Sequence, residues 1–368
     1  MAIEVESPEE LGYDAIRNNL AESSFSDMRL ADHGIESDVS DLLLQYGDHL
    51  GLPRLRELIA AEDALDPAEV IVTAGAAPAL FIVATSLLAE GSHALIAAPN
   101  YATNLETPRA LGADLETLEL RFEQQWELDP ERLEAMLRPE TRLVSLTYPH
   151  NPTGAMIAPE ALERIVDAIH RHGEARLLVD ETYRDLAYSD PLPAAASLSE
   201  HAISVSSMSK TYGLPGLRMG WVACRDTRLR ERLLAAKEQI LICGSTIDEE
   251  MAARVLERKG EIVPIIRAKV ARQFEIVREW IAGQDVFEWV EPQAGVIGMV
   301  RFREGFEVDV DRFYETLLAD HGTYVGPGHW FGLDRRCFRL GFAWPETEEL
   351  EAGLAGLLAA AAKAPAPA

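Results

Sequence analysis

Cysteine is scarce in this 368-residue chain. Cys224, Cys243 and Cys337 are odd in number and far apart, and no CxxC pair occurs. That spacing argues against a disulfide framework and against a structural zinc site, and a reducing, cytoplasmic setting fits it best. Long apolar runs are missing as well. The longest, Ala79 to Ala89, falls short of the roughly 20 residues that a membrane helix needs. The opening MAIEVESPEE has no basic region and no apolar region, so no secretory signal is readable. Basic residues are in deficit, 34 Lys and Arg against 61 Asp and Glu, for a net charge of -27. Such an excess favours solubility and repels nucleic acid and anionic membranes. No internal repeat is found. The only biased stretch is the terminal AAAAKAPAPA, expected to fray from about residue 363.

What is present is a large apolar fraction, 48% of residues, sufficient for a sizeable core. The length suits one two-domain enzyme or two to three packing units. Short apolar runs read as strands: EVIVTAG, ALIAAPN, RLVSLTYP, RLLVDE, AISVSSM and MGWVAC. Segments with helical spacing separate them. In PEALERIVDAIHRHG, Leu162, Ile165, Val166 and Ile169 follow the i, i+3, i+4, i+7 pattern, and Gly173 closes the helix. Alternating strands and helices predict an α/β fold with a mostly parallel central sheet covered on both faces. After about residue 245 the character changes. A long helix around residues 262–281 precedes the strand-like runs VFEWVEP and GVIGMVRF. A last helix carries Leu350, Leu354, Leu357 and Leu358 on one face. This predicts a large domain over residues 45–265 and a smaller α+β domain from residues 1–44 and 266–368.

Five segments carry candidate chemistry. SVSSMSKTYGLPGLRMGW ends a strand in hydroxyls, then places Lys210 before a Gly/Pro turn, with Arg218 eight residues on. Ser207, Ser209 and Arg218 are donors suited to a phosphate. An arbitrary lysine in such a loop is otherwise an ordinary surface residue. VTAGAAPAL leaves Gly75 and Ala76 at a helix N-terminus, where free N–H groups favour an anion; small residues there also serve plain packing. RLLVDETY puts Asp180 at the end of a buried strand, a costly place for a carboxylate without a cation. A helix cap or a salt bridge is the competing explanation for Asp180. Tyr183 follows three residues later. LTYPHNPTG sets Asn151 before a turn, and PNYATN sets Tyr101 past a strand end, where a ring can stack on a flat ligand. All these segments leave the carboxyl edge of the predicted sheet, where open α/β sheets bind ligands.

In this order, TAGAxxAL, PNY, PHNPTG, DETY, SxSK with its later arginine, and FRLGFA resemble the fold-type I, class I/II aminotransferases of the aspartate aminotransferase superfamily, over roughly residues 40–345. The resemblance implies pyridoxal 5'-phosphate as cofactor, carried by Lys210 as a Schiff base. It implies that Asp180 pairs with the pyridine nitrogen and that Tyr183 and Asn151 touch the phenolic oxygen. Tyr101 would stack on the ring. Gly75, Ala76, Ala77, Ser207, Ser209 and Arg218 would hold the phosphate. Arg339, with Asn151 and Tyr101, would meet the substrate. The segment LLLQYGDHLGLPRLRELIA matches a signature whose tyrosine reaches the partner subunit's phosphate, which assigns Tyr46 and implies a homodimer with shared active sites. His329 and Trp330 stand where a loop lines the substrate pocket, Arg335 and Arg336 read as solvated, and Glu22, Ser23 and Ser24 as a solvated helix end. The implied activity is transfer of an amino group from an L-amino acid to a 2-oxo acid through a pyridoxamine form, with no metal. The alternative on the same scaffold is elimination, replacement or cyclisation of an amino acid, of the capreomycidine synthase kind. A regulatory DNA-binding protein is disfavoured, because the chain before Tyr46 is short and acidic.

Overall fold

The computed structural model describes residues 6–366. Met1 to Val5, part of the segment read for a secretory signal, lie outside the described residues, as do the last two residues of the biased tail. Strands β1 (Asn18–Leu20), β2 (Val70–Thr73), β3 (His93–Ala98), β4 (Asp114–Glu119), β5 (Thr141–Thr147) and β6 (Arg176–Asp180) come first. They are followed by β7 (Ala202–Ser207), β8 (Gly220–Cys224), β9 (Phe287–Trp289), β10 (Ile297–Phe302), β11 (Thr323–Pro327) and β12 (Cys337–Gly341). Seven of them form a sheet in the order β2-β8-β7-β6-β5-β3-β4, parallel except for β8.

Alternation within each strand divides the core. Ala94, Ile96, Leu143 and Leu178 face one side, with Leu80 and Val83 of the helix Ala76–Leu87. Leu95, Val144, Leu146 and Leu177 face the other, with Leu162, Ile165 and Ile169 of the helix Pro159–His172. Each leucine, isoleucine or valine among them contributes roughly 1.5–3 kcal/mol on burial, so the two faces lock the sheet between helix layers. The exception, β8, has a simple cause. Residues 208–219 between β7 and β8 hold only the short turn Pro215–Leu217 and no crossover helix. A chain that returns without a crossover pairs antiparallel. Lys210 sits in that reversal.

The second sheet has the order β1-β11-β12-β10-β9, with β1 parallel to β11 and the rest antiparallel. After β1 the chain leaves this sheet and crosses to the first. Phe25 N donates to Lys210 O (2.8 Å) and Met28 N to Gly213 O (2.8 Å). Ser26 Oγ donates to Ala343 O (3.2 Å). Residues 21–28 therefore form a strap over the edge where the candidate residues lie.

Two sequence expectations change. The tail does not fray at residue 363. The helix Thr347–Lys363 runs through the alanines, burying Ala360 and Ala361, and Ala364 is buried with its carbonyl accepting from Asp309 N (2.9 Å). Alanine is the best helix former and its small side chain admits close packing, which outweighs the low complexity. Four strands also exist that the apolar pattern did not indicate: β1, β4, β11 and β12. DLETLE of β4 is an edge strand whose charges face solvent, a common way to protect an edge. Among the described residues no helix is long and apolar enough to cross a membrane.

Candidate active site

The parallel strands β2, β3, β5, β6 and β7 end at one edge, which gathers residues 74–77, 99–101, 148–151, 180–183 and 207–210. The turns that place them are built by buried side chains. Asn100 Oδ1 accepts from Tyr101 N (2.7 Å), Asn104 Nδ2 (2.9 Å) and Thr147 Oγ1 (3.1 Å). His150 bridges the β3 and β5 turns, with Nδ1 against Thr153 Oγ1 (2.7 Å) and Nε2 against Pro99 O (2.9 Å). Burial pushes the His150 imidazole down to about 4, so it is a neutral brace rather than an acid or base.

Asp180 is the last residue of β6 and is buried. Thr182 N (3.1 Å) and Thr182 Oγ1 (2.6 Å) both donate to its Oδ1. Burial raises the carboxyl above its ordinary range, the Thr182 hydrogen bonds oppose this, and the charge of Lys210 also pulls it down. The competing explanation of a helix cap fails, since β6 is followed by a turn and the short 3-10 segment Arg184–Leu186 is capped at Tyr183.

Lys210 is pulled two ways. Burial lowers the amine below its ordinary value, Glu22 raises it, and Arg339 lowers it further. A depressed amine is a better nucleophile and proton acceptor near neutral pH. Arg339, from β12, donates from Nη1 to Asn151 Oδ1 (3.1 Å) and from Nη2 to Ala21 O (2.7 Å). Its guanidinium lies 5.0 Å from the Phe331 ring. Tyr183 donates its hydroxyl proton to Ser23 O (2.8 Å), and burial pushes the phenol up to about 12. Lys210, Asp180, Arg339, Asn151 and Tyr183 thus belong to one cluster.

Ala76 and Ala77 open the helix Ala76–Leu87, with Gly75 at its N-cap in a left-handed conformation, φ 102°. A Cβ at Gly75 would stand 2.8 Å from Arg218 Nη2. Arg218 thus reaches over the free N–H groups of this helix start. Ser207 is buried at the end of β7, and Ser209 is half-buried two residues on. A helix start, a guanidinium and a hydroxyl fit a phosphate, a buried carboxylate fits a cationic ring nitrogen, and a half-buried amine of depressed basicity fits an aldehyde. The residues therefore fit pyridoxal 5'-phosphate. Gly75→Val should weaken cofactor binding by about 10- to 100-fold, because the added side chain pushes the Arg218 guanidinium off the helix start, and a lost charge-assisted hydrogen bond costs roughly 1.5–3 kcal/mol. An absorbance titration of the apoprotein measures it, with circular dichroism to confirm folding. Unchanged affinity would remove Gly75 from the cradle.

Other expectations fare differently. Tyr101 stands at the N-cap of the helix Ala102–Ala110, at the site edge. Tyr46 is 82% exposed on the surface. His329 Nε2 contacts Glu6 Oε2 (2.7 Å) and Trp330 Nε1 donates to the same oxygen (3.0 Å), so both are engaged by the N-terminal segment; Phe331 is the residue of that loop against Arg339. Arg335 pairs with Asp311, and Arg336 donates to Phe306 O (2.8 Å). The solvated helix end is overturned. Ser23 and Ser24 are buried and Glu22 is half-buried, because residues 21–28 are a strap rather than a helix. Thr182, which orients Asp180, carried no signal beyond its place in the DETY run.

Comparison with known proteins gives a consistent result. The profile of the family described as aminotransferase class I and II matches residues 19–357. Capreomycidine synthase of Streptomyces vinaceus is 32% identical over 339 residues, 91% of this chain and 86% of that protein. A PLP-dependent aminotransferase from Streptococcus suis 89-1591 superposes with a TM-score of 0.90 at 28% identity, covering 98% of this chain and 97% of the other. The PLP-dependent cyclase OrfR superposes with a TM-score of 0.86, also at 28% identity, covering 96% and 94%.

Proposed function

The chain belongs to the class I and II aminotransferase family, with pyridoxal 5'-phosphate as its cofactor, and on that premise we propose that it moves an amino group from an L-amino acid to a 2-oxo acid. When bound, the cofactor supplies an aldehyde that condenses with amines and a cationic ring that withdraws electrons from the substrate Cα. Lys210 would tether it, and once free of it the Lys210 amine would be the group that moves the substrate Cα proton. Asp180 keeps the ring nitrogen protonated. Arg339 and Asn151 seat the α-carboxylate, Arg339 as a two-pronged donor. Tyr183 and Asn151 flank the phenolic oxygen. Gly75, Ala76, Ala77, Ser207, Ser209 and Arg218 hold the phosphate, and Tyr101 covers the ring. The observation that supports this reading is the Arg339–Asn151 hydrogen bond beside a half-buried Lys210 with a depressed amine and a buried Asp180 whose charges act on one another.

A second reading is elimination or cyclisation of an amino acid, favoured by the likeness to capreomycidine synthase over 91% of the chain and to the cyclase OrfR. One experiment separates the two. Holoenzyme is mixed with single L-amino acids and no acceptor. Transfer yields one equivalent of 2-oxo acid per site and leaves the cofactor in its amino form. Release of ammonia or water over many turnovers, with the cofactor's starting absorbance kept, would discard transfer in favour of the second reading.

The homodimer is supported by exposed apolar side chains, Leu43, Leu44 and Tyr46 in one loop and Ile240 and Ile242 at the end of the helix Thr227–Ile240, two segments brought near each other by the bond from Thr246 Oγ1 to Gln45 O (3.3 Å). Such a patch is costly in a monomer. In a dimer Tyr46 would reach the partner's phosphate. Sedimentation should therefore give twice the 40.6 kDa chain mass; a monomer at working concentration would remove the shared-site assignment. Three free cysteines, Cys224, Cys243 and Cys337, accord with a cytoplasmic setting.

A further inference from the structure

We propose that Glu22 reads the distal end of the substrate, and that the amino acid taken by this site carries a cationic side chain, a guanidinium or an ammonium. The proposal rests on the reading above, in which Arg339 takes the α-carboxylate and Lys210 gives way to the α-amine.

Placement comes first. The residues on both sides of Glu22 are held by the site itself. Ala21 O accepts from Arg339 Nη2 (2.7 Å), Ser23 O accepts from the Tyr183 hydroxyl (2.8 Å), and Phe25 N donates to Lys210 O (2.8 Å). The Glu22 carbonyl lies so close to Gly341 that a Cβ there would collide with it. Glu22 is therefore pinned at the pocket, and its side chain is half-buried.

Charge follows from placement. The cations acting on Glu22 are Lys210 and Arg339, and the anions are Glu9 and Asp27. Burial raises the Glu22 carboxyl, with Lys210 opposing most strongly. Its neutralisation thus depends on two groups that the substrate uses. Once an α-carboxylate pairs with Arg339 and Lys210 has entered the reaction, Glu22 keeps the long hydrogen bond from Tyr13 (3.4 Å) but no cation against its half-buried charge. Leaving it so is unfavourable. A substrate that brings its own cation restores the balance. A dicarboxylic substrate would set like charges side by side, and a purely apolar one would leave the carboxylate uncompensated.

The side chains beside Glu22 agree. The Tyr13 hydroxyl donates to Glu22 Oε1 (3.4 Å), and the Tyr13 and Trp344 rings stack at 6.2 Å and 12°. Trp344 Nε1 donates to Asp27 Oδ2 (3.3 Å). Aromatic faces interleaved with carboxylates suit a planar or quaternary-like cation. Lys269, which donates to Ser26 Oγ of the strap (2.9 Å), is already paired with Glu346 (2.9 Å), so it does not reverse the sign of these surroundings.

The test uses matched pairs that differ only in charge: L-arginine against L-citrulline, and L-lysine against L-norleucine. Dissociation constants are read from the equilibrium change in cofactor absorbance, for wild-type holoenzyme and for Glu22→Gln. Wild type should prefer the charged member by about tenfold or more, and Glu22→Gln should reduce that preference to about twofold with little change for the neutral member. A wild type that binds both members alike overturns the proposal. So does a Glu22→Gln that weakens both equally, since that is a structural effect. If no amino acid perturbs the absorbance at all, the amino-acid reading of the site fails, and the proposal fails with it.

Discussion

Lys210→Ala should lower turnover by roughly a thousand- to ten-thousandfold and leave the cofactor bound only by non-covalent contacts. Two losses combine. The wild-type amine, held low by burial, is available in its neutral form to condense with an aldehyde and to accept a proton. Alanine offers neither function. The fold should persist, because the strap contacts Lys210 through its backbone, Phe25 N donating to its carbonyl, and that bond survives the substitution. Borohydride reduction followed by peptide mapping should place the cofactor's mass on the peptide containing Lys210 in wild type and on no peptide in the variant. A small amine such as methylamine should restore part of the proton transfer in Lys210→Ala. Wild-type turnover in the variant, or a loaded and active wild type with position 210 unmodified, would overturn the assignment.

Most of the large sheet was legible because its central strands are buried on both faces, which leaves short, nearly continuous apolar runs bounded by turns. Tyr101, Asn151, Asp180 and Lys210 stood out as candidates for a related reason, since each stands at the end of such a run or just past it, where the chain must turn. The strands that escaped notice lack that signature. DLETLE at the edge is half charged, NNL of β1 is three residues long, and TYVGP of β11 contains a glycine and a proline. Their existence is decided by tertiary pairing, which overrides local propensity. The same holds for the strap. Nothing local in LAESSFSD says that its carbonyls will accept from Tyr183 and from Arg339, 160 and 318 residues away. Glu22 read as solvated because its burial depends on those distant partners. The reversal of β8 was equally hidden, although the missing crossover helix between residues 208 and 219 was a usable signal.

Asp180→Asn should divide stability from catalysis, moving them in opposite directions. The Asp180 carboxyl is raised in the folded chain by burial. As pH climbs through the ordinary carboxylate range, near about 3.9, the unfolded chain loses this proton before the folded one does. The folded state then binds more protons than the unfolded state, so stability declines with rising pH until the raised folded value is passed, and the deficit remains above it. Asparagine carries no such deficit, and its side-chain oxygen can still accept from Thr182 N and Oγ1. Apoprotein bearing Asp180→Asn should therefore melt at least about 2 °C higher than wild type at pH 8, with the difference closing toward pH 3. Holoenzyme should lose removal of the substrate Cα proton by about a hundred- to thousandfold, the scale of losing one fixed charge-stabilising group. Cofactor affinity should fall as well, since the ring nitrogen loses its anionic partner. Differential scanning of apoprotein and single-turnover absorbance with Cα-deuterated substrate measure the two effects. An unchanged deprotonation rate would remove Asp180 from its place opposite the ring nitrogen. A bound cation would offset the desolvation that weakens the empty protein, which is the physical reason for proposing Asp180 as the partner of the ring nitrogen.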